Sequence, residues 1–347
     1  MQIERFDPVT DGRRLRACYE MTVAGHPEDD PNVPPPVYED FRVWWALGES
    51  GSLVETWLAT DDAGEPAGAY VAELPQHENR KNAFVQIIVA PSHRRRGAGR
   101  LLLAHLAGRV AEADRDLLMG YTRTGAPGTA FAAATGGREG LTEVRRRQDL
   151  SEELFQRLPA LRAAAQPHAS GYSLRCWDGR APSDLADSLC AVYTALGDAP
   201  HDEAFEPATF DTDRLRAEEE RIIARGVRWY SVAALAADGE VAAVTQVNVH
   251  PGQSEWGWQA ITAVRRHHRG HRLGLLVKIA MLELLAEREP ALRHLVTYNS
   301  EPNQHMIAVN EQLGYQVTDE FKAWEHDVAA VLASLASEGA AGRPGQS

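Results

Sequence analysis

A gapless internal repeat constrains this chain more than any other feature. Val89-Ala-Pro-Ser-His93-Arg94-Arg95-Arg96-Gly97-Ala98-Gly99-Arg100-Leu101-Leu102 returns as Val264-Arg-Arg-His-His268-Arg269-Gly270-His271-Arg272-Leu273-Gly274-Leu275-Leu276-Val277. Val89 and Val264, His93 and His268, Arg94 and Arg269, and Gly99 and Gly274 all stand 175 residues apart. A period of half a 347-residue chain marks two related domains rather than a solenoid of short units.

The flanks repeat as well. Residues 2–6 and 172–177 read as strands, each followed by a helical stretch, 11–24 and 183–196. Acidic, proline-bearing loops come next, with Glu28, Asp29 and Asp30 in the first copy and Asp198, His201, Asp202 and Glu203 in the second. Strands at 69–74 and 240–249, then at 83–89 and 256–264, lead into the two motifs. Asp238-Gly239 marks a hairpin turn, with Asp62-Ala-Gly64-Glu65 as its counterpart. After each motif comes an amphipathic helix, then a strand at 116–121 or 294–298. The spacing predicts a first domain over 1–155, a connector over 156–170, a second domain over 171–336 and a disordered tail over 337–347.

Composition narrows the function. A net charge of −13 makes nucleic acid a poor partner, since an acidic surface repels phosphate backbones. No apolar run reaches the roughly 20 residues of a membrane span, and the first residues hold no secretory signal. Three cysteines without a C-x-x-C argue against a disulfide framework or a structural zinc site and fit a reducing cytoplasm.

The repeated motif is an anion cradle. Its glycines admit positive φ and close approach to a ligand, and the helix that follows opens with unpaired N–H groups and a positive dipole end. Arg94, Arg95, Arg96 and Arg100 add charge. It is neither a dinucleotide G-x-G-x-x-G nor a P-loop, since no glycine stands three residues after Gly99 and no Gly-Lys-Ser/Thr follows.

Strand-Val-x-Pro-x-x-Arg-Arg-x-Gly-x-Gly-x-x-Leu-Leu resembles the acyl-CoA-binding motif of the GNAT superfamily of N-acetyltransferases. The stretch Thr297-Tyr298-Asn299 through Asn303 to Leu313-Gly314-Tyr315 is similar to that superfamily's distal motif. The resemblance implies a mixed α+β fold: two tandem acyl-CoA N-acyltransferase domains, each a twisted mixed sheet flanked by helices, with two central strands parted around a pantetheine arm. It implies acetyl-CoA as donor and a small-molecule primary amine that attacks the thioester directly. The pyrophosphate is expected on Arg94, Arg95, Arg96, Gly97, Ala98, Gly99 and Arg100 beyond Val89, or on Arg269, Gly270, His271, Arg272, Leu273 and Gly274 beyond Val264.

The two copies depart from the pattern differently. The family's proton-donating tyrosine is replaced by Ala132 in the first copy and Asn310 in the second, and Arg272 stands where a glycine is expected. Tyr298 is the substitute acid, Glu255 the candidate general base, and Asn299 and Asn303 either meet the pantetheine or cap the next helix. His93 and His268 either touch phosphates or sit in an exposed turn. The acidic loops either draw a cationic acceptor or simply solvate the surface. Turnover is expected in the second domain, the first being structural or holding CoA without turnover. The alternative is a non-catalytic acyl-CoA-binding or sensing protein. A monomer built as an intramolecular pseudo-dimer and a homodimer are both compatible with the repeat.

Overall fold

The computed structural model describes residues 1–48, 51–198, 205–300 and 303–341. The first copy runs β1 (Gln2–Phe6), α1 (Gly12–Asp29), α2 (Tyr38–Leu47), β2 (Ser52–Thr60), β3 (Pro66–Pro75), β4 (Asn82–Val89), α3 (Ala98–Glu112), β5 (Leu117–Arg123), α4 (Pro127–Ala134), β6 (Arg138–Asp149) and α5 (Glu152–Ala165). The second runs β7 (Ser173–Asp178), α6 (Ala186–Thr194), α7 (Thr212–Ala224), β8 (Arg228–Leu235), β9 (Val241–Val249), β10 (Trp256–Val264), α8 (Leu273–Arg288), β11 (His294–Ser300), α9 (Gln304–Gln312), β12 (Gln316–Asp327) and α10 (Val328–Ala341). The copies agree element for element. No helix among the described residues is long and apolar enough to cross a membrane.

The division in space differs from the division in sequence. One compact unit comprises residues 1–142 and the segment from Glu320 onward, the other Glu143–Asp319. Each copy thus sends its last strand and helix to the unit built by the other. β12 pairs antiparallel with β5, from Phe321 opposite Arg123 to Asp327 opposite Leu117. β6 pairs antiparallel with β11, from His294 opposite Asp149 to Ser300 opposite Glu143. The expected boundary at 155 and the expected connector at 156–170 therefore do not describe the fold. That stretch is the body of α5, with Leu154, Leu158, Ala165 and Ala169 in the core that contains α8. Burial of this apolar stripe outweighs the Pro159 and alanine content that read as a linker.

In the first unit the strand order is β1-β2-β3-β4-β5-β12, antiparallel except for the parallel β4–β5 pair. One face carries α3 and α10, with Leu102, Leu106, Val110, Val328 and Val331 in its core. The other carries α1 and α2, through Leu15, Met21, Phe41 and Trp45. With both faces covered, β3 is buried along almost its whole length. α10 extends through residues 337–341, where a disordered tail was expected, and 342–347 lie outside the described residues.

The second unit repeats this order as β7-β8-β9-β10-β11-β6, with β10–β11 the parallel pair. Its α8 is buried from Leu273 through Leu282 between the sheet and α5. α6 and α7, with Leu185 of the turn before α6, cover the other face through Leu189, Val192 and Leu215.

Candidate functional site

Each unit holds one opening in its sheet. β4 and β5 pair over three residues only, Asn82–Phe84 against Leu117–Met119, and β10 and β11 do the same with Trp256–Trp258 against His294–Val296. β4 stays paired with β3 up to Val89, so the edge facing β5 past Phe84 carries the unpaired backbone groups. A parted parallel pair is a V-shaped slot lined by backbone donors and acceptors, suited to an extended, amide-bearing ligand.

The slots differ at one point. In β10 the register against β9 slips between Gln259 and Ile261, leaving Ala260 as a bulge residue, whereas β4 runs against β3 without a slip. Gln259 fastens the bulge: its Nε2 donates to Thr245 Oγ1 at 2.8 Å, to the Gln246 carbonyl at 2.7 Å and to the Ile261 carbonyl at 3.1 Å. The matching residue of β4 is Val85, which has no such donor. Bulges re-aim backbone groups, which is why they recur beside active sites.

Past each central strand the chain turns into the cradle. In the first unit Gly97 precedes α3 at φ +89°, without a side-chain cap on the helix. A β-carbon on Gly99 would meet the Phe131 ring at 3.0 Å, so glycine is needed for close packing of α4 on this turn. Arg95, Arg96, Gly97 and Arg100 are exposed and Ala98 is buried. Arg94 is committed elsewhere. Its Nε donates to the Val89 carbonyl at 3.3 Å, Nη1 to Glu28 at 2.7 Å and Nη2 to Asp29 at 2.6 Å. The acidic stretch read as a loop is the last turn of α1, with Asp30 as its C-cap, and two of its carboxylates hold this arginine. Arg123 also holds the turn through the Glu28 and Asp29 carbonyls.

The second cradle has the same plan. Arg269 Nε donates to the Val264 carbonyl at 3.3 Å, as Arg94 does to Val89. Arg272 precedes α8 at φ +53°, in the left-handed region that Gly97 occupies in the first unit. A non-glycine residue there costs about 1–2 kcal/mol, and the backbone donors of the first turn keep their geometry. His271 Nδ1 lies 2.9 Å from the His168 carbonyl, and Arg272 Nη1 lies 3.5 Å from the Ala164 carbonyl. Gly270 is exposed, while Leu273 and Gly274 are buried. Of the second copy's acidic stretch, His201, Asp202 and Glu203 lie outside the described residues, and Asp198 ends a short 3-10 turn.

The distal segment resolves the asparagines. Asn303 caps α9, its Oδ1 accepting from the Met306 N–H at 3.3 Å. Asn299 accepts from Asn310 Nδ2 at 2.7 Å, and both are buried. The two therefore serve each other inside the fold. Ala132 and Asn310 occupy equivalent buried places on α4 and α9.

Tyr298 points the other way on β11 and is 39% exposed. It stands two residues past the last paired residue of the parallel strands, on the parted section. Its register neighbour on β6 is Arg145, whose Nη1 donates to the Tyr298 hydroxyl oxygen at 3.4 Å. Arg145 is 0% exposed and is neutralised by Asp319, with Nε at 2.9 Å. Tyr121 holds the equivalent place on β5 and is 53% exposed, but its register neighbour is Ala323. Sequence reasoning missed Tyr121, Arg145, Asp319 and Gln259. The repeat signal for Tyr121 is present at an offset of 177, because α8 and the loop before β11 are each one residue longer than their counterparts in the first copy.

Glu255 lies just before β10, at the closed end of the slot, exposed, its carbonyl accepting from the N–H groups of Arg293 and His294. Five residues of extended chain separate it from Ala260, about 16 Å. His93 and His268 act as latches. His93 Nε2 lies 3.2 Å from Asp61 on the β2–β3 hairpin, and His268 Nε2 lies 2.8 Å from Glu240 beside the β8–β9 hairpin.

Comparisons with known proteins agree with this geometry. A family model described as Acetyltransferase (GNAT) family matches residues 15–124. A mycothiol acetyltransferase of Cellulomonas flavigena is 26% identical over 297 residues, 82% of this chain and 78% of that protein. A solved tandem GNAT protein from the clavulanic acid biosynthesis pathway superposes with a TM-score of 0.80 at 27% identity, covering 94% of this chain and 98% of that one. A GCN5-related N-acetyltransferase from Sphaerobacter thermophilus shares the fold, with a TM-score of 0.66 at 16% identity over 94% of this chain and 95% of that one.

Proposed function

We propose that this chain, a tandem-domain acetyltransferase of the GNAT superfamily, moves an acetyl group from acetyl-CoA to the primary amine of a small molecule, with turnover in the second unit. The observation that carries this reading is the Arg145–Tyr298 contact on the parted section of β11, across the slot from the clamped bulge of β10. Acetyl-CoA would supply an acyl carbon that an amine attacks directly, with CoA thiolate as the leaving group.

This chain's residues then have distinct tasks. The turn 269–275 holds the pyrophosphate through the first N–H groups of α8, and Arg269 holds that turn to Val264. The backbone N–H groups released at Ala260 polarise the thioester carbonyl and stabilise the oxyanion that forms there. Tyr298 gives its proton to the departing sulfur as the carbon–sulfur bond breaks. The hydroxyl oxygen accepts from the Arg145 guanidinium, which fixes where the phenol sits on the parted strand. The attacking amine loses its proton through water, and Glu255 acts through that water, not by contact. Asn303 keeps α9 capped and takes no part in the chemistry.

In the first unit the same slot and a complete Arg-x-x-Gly-x-Gly cradle support CoA binding, but Ala323 stands where β6 supplies Arg145. That unit is assigned a binding role without turnover. Mass spectrometry of polyamines, aminoglycosides and amino-sugar thiols incubated with acetyl-CoA and the protein tests the reading. At least one acceptor gaining an acetyl group is the expected result, and no acetylated product from any class overturns it.

A further inference from the structure

We propose that Glu240, His267 and His268 form a site for a divalent transition metal of the zinc type, pinning the β8–β9 hairpin to the turn that leads into α8. The three donor atoms lie within 4.8 Å of one another. Glu240 Oε2 is 2.8 Å from His268 Nε2 and 3.2 Å from His267 Nε2. Bonds of about 2.0–2.1 Å to a tetrahedral ion place neighbouring donors about 3.3 Å apart, so a small movement suffices to admit the ion.

The surroundings suit such a site. The Tyr172 hydroxyl lies 2.8 Å from His268 Nδ1, so with an ion on Nε2 the ring would place its proton on Nδ1 and donate it to that hydroxyl. Arg265 pairs with the other carboxylate oxygen, Oε1, so Glu240 offers Oε2 alone. The two imidazole rings sit 4.1 Å apart on one 3-10 turn. His267 is 58% exposed in its side chain, which leaves the remaining position to water.

The first unit is an internal control. There Asp61 and His93 form the matching latch at 3.2 Å, but Ser92 stands in place of His267 and bonds to His93 Nδ1 at 3.0 Å. The second copy thus adds one imidazole to a latch that works in the first as a hydrogen bond. A bound cation there also adds positive charge next to Arg269, where a polyanion would rest.

Equilibrium dialysis of the full chain against zinc, with cobalt absorption as a second readout, tests this. Wild type is expected to retain one equivalent at micromolar zinc, with a tetrahedral cobalt spectrum and a raised melting temperature. His267→Ser, which installs the first unit's residue, is expected to lose that equivalent and the melting shift while its metal-free melting temperature stays unchanged. Tyr172→Phe is expected to weaken binding about 10–100-fold. Glu240→Gln guards against misfolding of the first variant and is expected to lose the equivalent as well. Wild type holding no equivalent of zinc, or His267→Ser and Glu240→Gln holding it as wild type does, overturns the proposal.

Discussion

Arg145 and Tyr298 meet across 153 residues of sequence, the buried guanidinium donating to the phenol oxygen at 3.4 Å. The contact exists because β6, the last strand of the first copy, pairs with β11 of the second. The charge on Arg145 is carried by Asp319, on the same unit's part of β12. A candidate proton donor on one copy is thereby oriented by a residue of the other, and the unit cannot be completed from one half of the chain.

Removing one member of the Arg145–Asp319 pair leaves a buried charge without its partner. Arg145→Met or Asp319→Leu alone is expected to destabilise the fold by about 3–5 kcal/mol. The double variant is expected to recover much of that loss, since both charges are then gone. Urea denaturation of the three variants checks it, and additive losses in the double variant would contradict it.

Burial pushes the Lys278 ammonium from 10.5 down to about 7. Its Nζ has no hydrogen-bond partner among the described residues and lies 4.8 Å from the Tyr315 ring centroid. Between pH 7 and 10.5 the unfolded chain holds this proton and the folded chain does not, so this group makes stability rise with pH across that window. Below pH 7 the folded protein carries the full cost of a buried charge. The first copy has Leu103 at the matching position. Lys278→Leu is therefore expected to stabilise the fold by a few kcal/mol, on the order of the shift, at pH 6. The gain should shrink towards pH 10. Denaturation at pH 6, 8 and 10 reads this directly, and a gain independent of pH would contradict it.

The two residues before the cradle helices should respond in opposite ways. Gly97→Ala forces a side chain into the left-handed region and is expected to cost about 1–2 kcal/mol. Arg272→Gly relieves the same strain but loses the Ala164 contact and adds unfolded-state entropy, so it is expected to stay within about 1 kcal/mol of wild type. Thermal melts of both variants check this pair of expectations.

Much of this architecture is legible in local pattern. The repeat, the strand before each cradle, the Asp238-Gly239 hairpin and the helices after each motif all follow from spacing and turn chemistry, and the structure has them at or within a few residues of the expected places. The exchange of β6 and β12 is not, because the pairing of a strand depends on partners far away in sequence. α5 was hidden by Pro159 and an alanine run, although Leu154, Leu158 and Leu161 stand at helical spacing. Glu28 and Asp29 are typical of ligand-attracting charges by composition, yet Arg94 takes both. Asn303 carried an even choice between ligand contact and capping, and its bond to Met306 is a cap. Tyr121 escaped notice because the offset of the repeat changes from 175 at the cradle to 177 at β5 and β11, the second copy having two more residues between the cradle and its next strand.

The central claim is that acetyl transfer runs in the second unit with Tyr298 as the acid, and it stands on one comparison. Initial rates of CoA release and acetylated product should be measured for Tyr298→Phe and Tyr121→Phe against wild type, with the best acceptor of the amine panel. The account predicts that Tyr298→Phe lowers kcat by about 100-fold or more while KM for acetyl-CoA changes little, and that Tyr121→Phe stays within about twofold of wild type. Full activity in Tyr298→Phe, or the loss falling on Tyr121→Phe instead, would contradict it.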